Sequence, residues 1–371
     1  MIRILCVFGK LDRGGAESMC MNLYRKIDKT KIQFDFVKHT SEKGAFEDEI
    51  RNLGGNIYTA PKFRIANYTQ YCNWWKNHFK KHPEHQIIHG HMFTISSLYF
   101  NVAHKFNRVT IGHSHSSQPN GRSITIKNII KTVIRKKVPY TSDYCLACSD
   151  NAGKFLFGNK NFLVLNNAID TDLFVLSADI RNKMRNTFEY ENSDIVLCIV
   201  ASFTEPKNPL GVVDIFKKIH TDNPNTRLLW VGDGPLRNSF VEKVKEYGLS
   251  DAVKLLGVRS DTFDVLQAAD VFVLASFFEG LPVSAIEAQA SGLPCLLSNG
   301  ISKETDITGL CTFLPIDEPD LWSQAMSNID FNNRQNTKDK ITEAGYNVET
   351  TAKWLEEFYF SIIKERNLSD E

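Results

Sequence analysis

Ile2-Arg-Ile-Leu-Cys-Val-Phe-Gly9, continuing as Lys10-Leu-Asp-Arg-Gly-Gly-Ala-Glu17 and then with helical spacing to Ile27, is the stretch from which the fold is read. Its first part is a nearly unbroken apolar run of strand length, as expected of a strand covered on both faces. A glycine pair and an amphipathic helix follow, which is how a parallel βα unit begins. The alternation continues with strand-like runs at Phe34–Val37, Gln86–His89, Val109–Ile111, Tyr144–Ala147 and Phe162–Leu165. Helical spacing occupies Tyr68–Lys81, Ile95–Phe106 and Ile124–Val138 between them. After Asn166-Asn-Ala-Ile-Asp170 the pattern restarts, with runs at Asp194–Ala201, Arg227–Val231, Val253–Leu256, Val271–Leu274 and Pro294–Leu297.

The expectation is an α/β chain of two Rossmann-like, doubly wound domains, residues 1–167 and 168–347, facing a central cleft at the carboxyl ends of their strands. A length of 371 residues also calls for two cores. A last helical pattern, 348–371, carries Trp354, Leu355, Phe358, Tyr359 and Ile362 on one apolar stripe and is expected to pack back on the first domain.

With 42% hydrophobic and 23% charged residues the chain is globular in composition, which excludes disordered and collagen-like classes. No run of about 18 apolar residues occurs, and the N-terminal run is too short for a secretory leader, so the expected location is cytoplasmic. Most of the eight cysteines sit in apolar runs and read as buried thiols. Cys145-Leu-Ala-Cys148 has no second pair nearby and reads as structural. The formal net charge of +1 conceals a split, because residues 1–167 carry 25 Lys and Arg against 11 Asp and Glu. That basic half points to an anionic partner: a phosphorylated ligand, a membrane surface or nucleic acid. No nucleic-acid-binding motif accompanies it, so nucleic acid is set aside.

The candidate site residues lie in loops after strands. Gly14 and Gly15 open a helix N-terminus suited to an anion, without the glycine spacing of a dinucleotide fingerprint; a plain tight turn is the bland alternative. In Phe278-Glu-Gly-Leu-Pro-Val-Ser-Ala-Ile-Glu-Ala-Gln-Ala-Ser-Gly-Leu-Pro294, Glu279 lies in the loop after Val271–Leu274. Pro282 suits the first helical turn, and Glu287 falls farther along the helix. A capping carboxylate and a solvated helix face are the bland readings of these two. His89, His91, His113 and His115 end strands without nearby acids, so no metal is expected there. Asp170-Thr-Asp172 sits in the interdomain connection and reads as a turn.

The Glu279-to-Glu287 segment resembles the donor-site signature of retaining, GT-B-fold glycosyltransferases of family 4. The resemblance extends through Gly14-Gly15, Asn166–Asp170, Val231-Gly-Asp-Gly-Pro-Leu236 and Leu256-Gly-Val-Arg-Ser-Asp261. Arg13-Gly-Gly-Ala-Glu-Ser, Ile111-Gly-His-Ser-His115 and Ala147-Cys-Ser-Asp look most like bacterial exopolysaccharide and capsule enzymes. The resemblance implies transfer of a sugar from a nucleotide-sugar donor, a UDP-sugar, to a lipid-linked or saccharide acceptor with retention. No cofactor or metal is implied. Glu287 would hold the ribose and Glu279 the donor sugar. Gly280, Leu281 and Pro282 would open the helix facing the diphosphate, Lys207 would bind phosphate, and Val258 would meet the base. Gly14 and Gly15 would complete the donor site, and His115, or His113 two residues earlier, would face the acceptor as the catalytic histidine.

Where the family carries Gly-Arg five residues before that lysine, this chain reads Ala201-Ser202, so the diphosphate loses a guanidinium. Arg13 and Arg259 are the candidate replacements. A nucleotide-sugar epimerase and a catalytically weak sugar-nucleotide-binding subunit are the alternative functions. The basic segment Arg122–Tyr140, in which Lys127, Lys131, Arg135, Lys136 and Lys137 alternate with apolar residues, is expected to let the first domain lie peripherally on an anionic membrane.

Overall fold

The computed structural model describes residues 1–92, 94–116, 126–331 and 333–369, the side chains of 126–128 and 367–369 excepted. The chain divides into two units, 1–169 together with 347–371, and 170–346.

Unit 1 holds strands β1 (Ile2–Val7), β2 (Ile32–Lys38), β3 (Ile57–Thr59), β4 (His85–Gly90), β5 (Val109–Ser114), β6 (Tyr144–Ala147) and β7 (Leu163–Val164). They form one parallel sheet in the order β3-β2-β1-β4-β5-β6-β7. The alternation of a strand explains its two cores. Ile4 and Cys6, with Phe8 just beyond, face Met19, Leu23 and Tyr24 of the helix Gly15–Lys26. Leu5 and Val7 face the opposite way, toward Trp75 and Phe79 of the helix Tyr68–Lys81 and Tyr99 and Phe100 of Ser96–His104. Strand order reverses between β1 and β4, so the loops after these strands diverge to opposite faces and leave a crevice where open α/β sheets bind ligands.

Unit 2 repeats the plan with β8 (Ile195–Val200), β9 (Thr226–Val231), β10 (Val253–Gly257), β11 (Val271–Leu274), β12 (Cys295–Ser298) and β13 (Cys311–Leu314). The order is β10-β9-β8-β11-β12-β13, again parallel, with its reversal between β8 and β11. Trp230, at the end of β9, stacks on Phe203 with ring centroids 4.3 Å apart and donates through Nε1 to the Ala201 carbonyl at 2.8 Å. The loop after β8 is thereby pinned to the core.

Several expectations need correction. β3 and β13 were not anticipated, because three or four residues of half-buried strand show too little alternation to stand out. The run Phe162–Leu165 shortens to Leu163–Val164, an exposed edge strand. The C-terminal helix Val348–Ser369 packs on unit 1 through Val348, Ala352, Leu355, Tyr359 and Ile362. Trp354 lies at the rim of that stripe, 36% exposed and stacked on Phe358. Residues 347–371 bring six Asp and Glu against three Lys and Arg into unit 1, so that unit is less basic than residues 1–167 alone imply. In the basic segment a helix spans Ile126–Arg135; residues 122–125 lie outside the described residues. Among the described residues no helix is long and apolar enough to cross a membrane.

The stripe is checked by mutation. Leu355→Ala removes a fully buried side chain and should lower stability by about 2 to 5 kcal/mol, with Trp354→Ala costing much less. Urea denaturation of the full chain reads the difference, and equal losses would contradict the assigned helix face.

Candidate functional site

Four loops in unit 2 meet at the carboxyl ends of its central strands, and backbone hydrogen bonds join them. After β8, the chain turns through Glu205–Lys207 into the helix Pro209–Asp222. Asn208 makes that turn in a left-handed conformation (φ 51°), which Asn tolerates better than most residues. Its side chain accepts from the Gly211 N–H at 3.2 Å, capping the helix, and donates to the Ala275 carbonyl at 3.2 Å. The Phe277 N–H donates to Pro206 O at 2.9 Å, so the loops after β8 and β11 are joined twice. The Phe203 N–H donates to Asp233 O, and its carbonyl accepts from Leu236, which adds the loop after β9. Gly232 adopts φ +142°, and a Cβ there would lie 2.0 Å from the Ala201 carbonyl oxygen. Its N–H reaches the Gly257 carbonyl at 2.8 Å, bringing in the loop after β10.

This stitching brings Lys207 and Glu279 together. Lys207 Nζ forms an ion pair with Glu279 Oε1, and Ser276 Oγ donates to the same oxygen at 2.8 Å. Ser276 had no signal in the sequence beyond its place at a strand end. The Glu279 backbone bridges Ile301, donating to Gly300 O and accepting from Ser302, so its position is set by the strand ends on both sides. Gly280 and Leu281 continue the loop. Pro282 is the N-cap of the helix Val283–Ala290 rather than a residue of its first turn. Gln289 locks that helix in place: it donates to Ala285 O and Thr305 O and accepts from Ile307, Thr308 N and Thr308 Oγ1.

Glu287, on the same helix, is half-buried rather than lying on a solvated face. Its carboxylate has no hydrogen-bond or ionic partner among the described residues, and burial pushes its pKa up to about 7. It lacks donors that a ligand could supply.

At the position of the absent guanidinium, the exposed Ser202 shares a hydrogen bond with Thr204 Oγ1 at 3.1 Å. Arg259 is not free to replace it, since Nε and Nη2 form a bidentate pair with Asp261 at 2.8 and 2.5 Å. Arg237, which sequence reasoning passed over, follows the Gly232–Leu236 loop bonded to Phe203 and opens the helix Arg237–Glu246. It is half-buried and without an ionic partner among the described residues. Val258 is 61% exposed after β10, available for a flat contact.

In unit 1, Gly14 caps the helix Gly15–Lys26, and the Glu17 carboxylate folds back over it. The expected anion position is therefore occupied by the chain's own carboxylate, a common arrangement three residues after an N-cap. His115 Nε2 is hydrogen-bonded to His91 Nδ1 at 2.9 Å, and burial lowers its pKa to about 3. His113 Nδ1 pairs with His89 Nε2 at 3.0 Å, and His89 Nδ1 with the Tyr359 hydroxyl at 2.7 Å. Among the described residues three groups bring their donor atoms within 4.8 Å of one another: His89, His91 and His113; Cys6, Cys20 and His91; and His82, Glu84 and His85.

Comparison with known proteins shows what the chain as a whole resembles. The family model "Glycosyl transferases group 1" matches residues 180–309. EpsF of Bacillus subtilis (strain 168), whose name describes a glycosyltransferase, is 30% identical over 358 residues, covering 94% of this chain and 93% of that protein. The capsular polysaccharide biosynthesis glycosyltransferase CapH of Staphylococcus aureus is 24% identical over 81% of this chain and 82% of its own. Among solved structures, Anabaena HepE in complex with UDP and glucose superposes with a TM-score of 0.77 at 16% identity, covering 97% of this chain and all of HepE.

Glu287 makes stability depend on pH in a definite direction. Its carboxyl titrates near 4.5 when unfolded and near 7 when folded, so between these values the native state holds more protons and stability falls as pH rises. Glu287→Gln should therefore melt close to wild type at pH 5 and above it at pH 8. A variant no more stable than wild type at pH 8 would mean the carboxylate is solvated.

Proposed function

The chain belongs to the group 1 glycosyl transferases, and from that premise we propose that it moves a sugar from a UDP-sugar to a lipid-linked or saccharide acceptor with retention of anomeric configuration, as a family 4 enzyme of surface polysaccharide assembly. The observation that carries this reading is Glu287, a half-buried carboxylate without donors among the described residues, on the helix that follows the loop of the Lys207–Glu279 pair. Two vicinal ribose hydroxyls supply the donors it lacks. Lys207 turns from Glu279 toward the diphosphate, and the N-terminus of the helix Val283–Ala290, after Gly280, Leu281 and Pro282, takes up further negative charge. Glu279, released, meets the hydroxyls of the donor sugar, and Val258 lies against the base. UDP is supported as the nucleotide by its presence in the HepE complex, and a polysaccharide pathway by the name of CapH.

In the transfer, the bond from the anomeric carbon to the diphosphate oxygen breaks and one to the acceptor oxygen forms. The acceptor's proton leaves with the nucleoside diphosphate. With charge taken up by Lys207 and the helix N-terminus, no metal or other cofactor takes part in this step. Gly14 and Gly15 serve the donor site once Glu17 swings away, and His115 positions the acceptor.

Ser202 favours a second reading, a sugar-nucleotide-binding subunit of weak activity. Incubation with a panel of nucleotide sugars, with and without lipid-diphosphate acceptors, separates the two. Acceptor-dependent UDP release with an α-linked product from an α-linked donor supports the enzyme, and tight UDP binding without turnover supports the subunit. Nucleotide-sugar interconversion without acceptor would indicate an epimerase.

Arg237 supplies the missing cation in this reading. Arg237→Ala should weaken UDP binding by about 1.5 to 3 kcal/mol in calorimetry, the range for a lost charge-assisted hydrogen bond. Arg259→Ala should leave it unchanged; the opposite pattern would return the role to Arg259.

The helix Ile126–Arg135 is proposed to dock on anionic lipid. Ile129 and Val133 are 54% and 52% exposed and Tyr140 87%, next to exposed Lys131, Lys136 and Lys137. Arg135, by contrast, lies over the Phe155 ring at 4.5 Å. Sedimentation with phosphatidylglycerol vesicles should fall as salt rises and drop when Lys131, Lys136 and Lys137 become Glu, each contributing about 1 kcal/mol. Equal recovery of wild type and triple variant in the supernatant at low salt would rule the docking out.

A further inference from the structure

The chain leaves β11 through Ala275 and Ser276, both fully buried, and then presents Phe277 and Phe278, 51% and 42% exposed, immediately before Glu279. A single apolar residue at a surface is ordinary, but two adjacent phenyl rings at the carboxyl end of a central strand, beside the Lys207–Glu279 pair, are not. The backbone that carries them is fixed on both sides. Ala275 O accepts from Asn208 Nδ2 and Ser276 O from Ser298 Oγ, while the Phe277 N–H donates to Pro206 O at 2.9 Å and the Glu279 N–H to Gly300 O at 3.1 Å. Gly300 packs so closely that a Cβ there would lie 2.2 Å from the Phe277 carbonyl oxygen. Among the described residues neither ring stacks on another ring or lies under a cation. The rings therefore stand exposed on a rigid support, the preorganised arrangement that a binding contact calls for.

Strand order decides which part of a ligand reaches them. From Val258, after β10, to Phe277, after β11, the sheet is crossed in three steps, through β9 and β8, or about 14 Å at the spacing of neighbouring strands. A base lying against Val258 is out of reach of both rings. Lys207 follows β8, between these two ends, so a nucleotide-sugar with its base at Val258 and its diphosphate at Lys207 has its sugar at β11. Charge separates the parts of the ligand in the same way. The face of an aromatic ring is negative, so it repels phosphate oxygens and attracts the polarised C–H groups that a pyranose presents on its faces, between the hydroxyls of its rim. Glu279, next in the chain, accepts from hydroxyls. One loop thus offers a polar and an apolar group to the two kinds of surface that a sugar ring has.

We propose that Phe277 and Phe278 pack against the C–H face of the donor sugar and select the donor by that face. The proposal rests on the sugar-transfer reading above and adds its specificity, because sugars that differ in the orientation of one ring hydroxyl expose different C–H faces.

Calorimetry without acceptor measures UDP alone and, separately, UDP-glucose, UDP-galactose and UDP-N-acetylglucosamine. The double variant Phe277→Leu with Phe278→Leu keeps apolar side chains and deletes the rings. Its affinity for the UDP-sugar that wild type binds best should fall about tenfold, the size of an aromatic contact, at unchanged UDP affinity and melting temperature. Phe277→Tyr with Phe278→Tyr keeps the rings and should bind that UDP-sugar as wild type does. A Leu pair with undiminished UDP-sugar affinity, a Leu pair that loses UDP affinity by the same factor, or a Tyr pair no better than the Leu pair overturns the proposal. A change confined to the KM of the acceptor would give the rings to the acceptor, and a change of oligomeric state in gel filtration would give them to a second copy of the chain; either result overturns it as well. Should wild type bind UDP and none of the three UDP-sugars, the proposal falls while the nucleotide site stands. Should it bind no UDP, the sugar-transfer reading itself fails, whatever the ring variants show.

Discussion

The second unit of this protein depends on the pair of hydrogen bonds that cross the switch point of its sheet, from Phe277 N–H to Pro206 O and from Asn208 Nδ2 to Ala275 O. Strands β8 and β11 are neighbours in space but separated by more than seventy residues of chain, and the loops leaving them diverge to opposite faces. Without a tie, Lys207 and Glu279 would be held only by their own side chains, and an exposed ion pair is worth little against the entropy of two flexible groups. With the backbone tied, the pair forms between partly buried groups whose positions are already set. Asn208 serves both ends of this arrangement, since one left-handed residue caps a helix and bonds the neighbouring loop.

A second principle runs through both units: groups that a ligand can satisfy are kept desolvated and short of partners. Among the described residues Glu287 lacks donors, and His91, His113 and His115 each keep a buried ring nitrogen without a partner. Arg259, which looks equally available in sequence, is held in a bidentate pair by Asp261 two residues away. Availability, more than residue type, separates a binding group from a structural one, and it follows from what the fold brings near.

The alternation of apolar runs and helical spacing was sufficient to read two parallel sheets, because central strands buried on both faces show as unbroken apolar runs. Ile2–Val7 and Ile195–Val200 are of this kind. The same logic explains what was missed. β3, β7 and β13 are short strands with little buried surface, so their residues carry little pattern. The C-terminal helix was legible as amphipathic, yet its buried face is set by Ala352 and Val348 as much as by the large aromatics, and hydrophobicity by itself favours Trp354.

Sequence alone determined the alternation, the restart near residue 170, the loops in which Gly14, Lys207, Glu279 and His115 stand and the helix that carries Glu287, since each of these depends on local period and spacing. Tertiary structure decided who meets whom: Lys207 with Glu279, Arg259 with Asp261, Glu17 over the glycine pair, and four histidines in two rows under Tyr359. The reason is physical. A parallel sheet gathers the carboxyl ends of strands that are far apart in the chain, so their side chains become neighbours through strand order and register, and neither is written in the local spacing of any one segment.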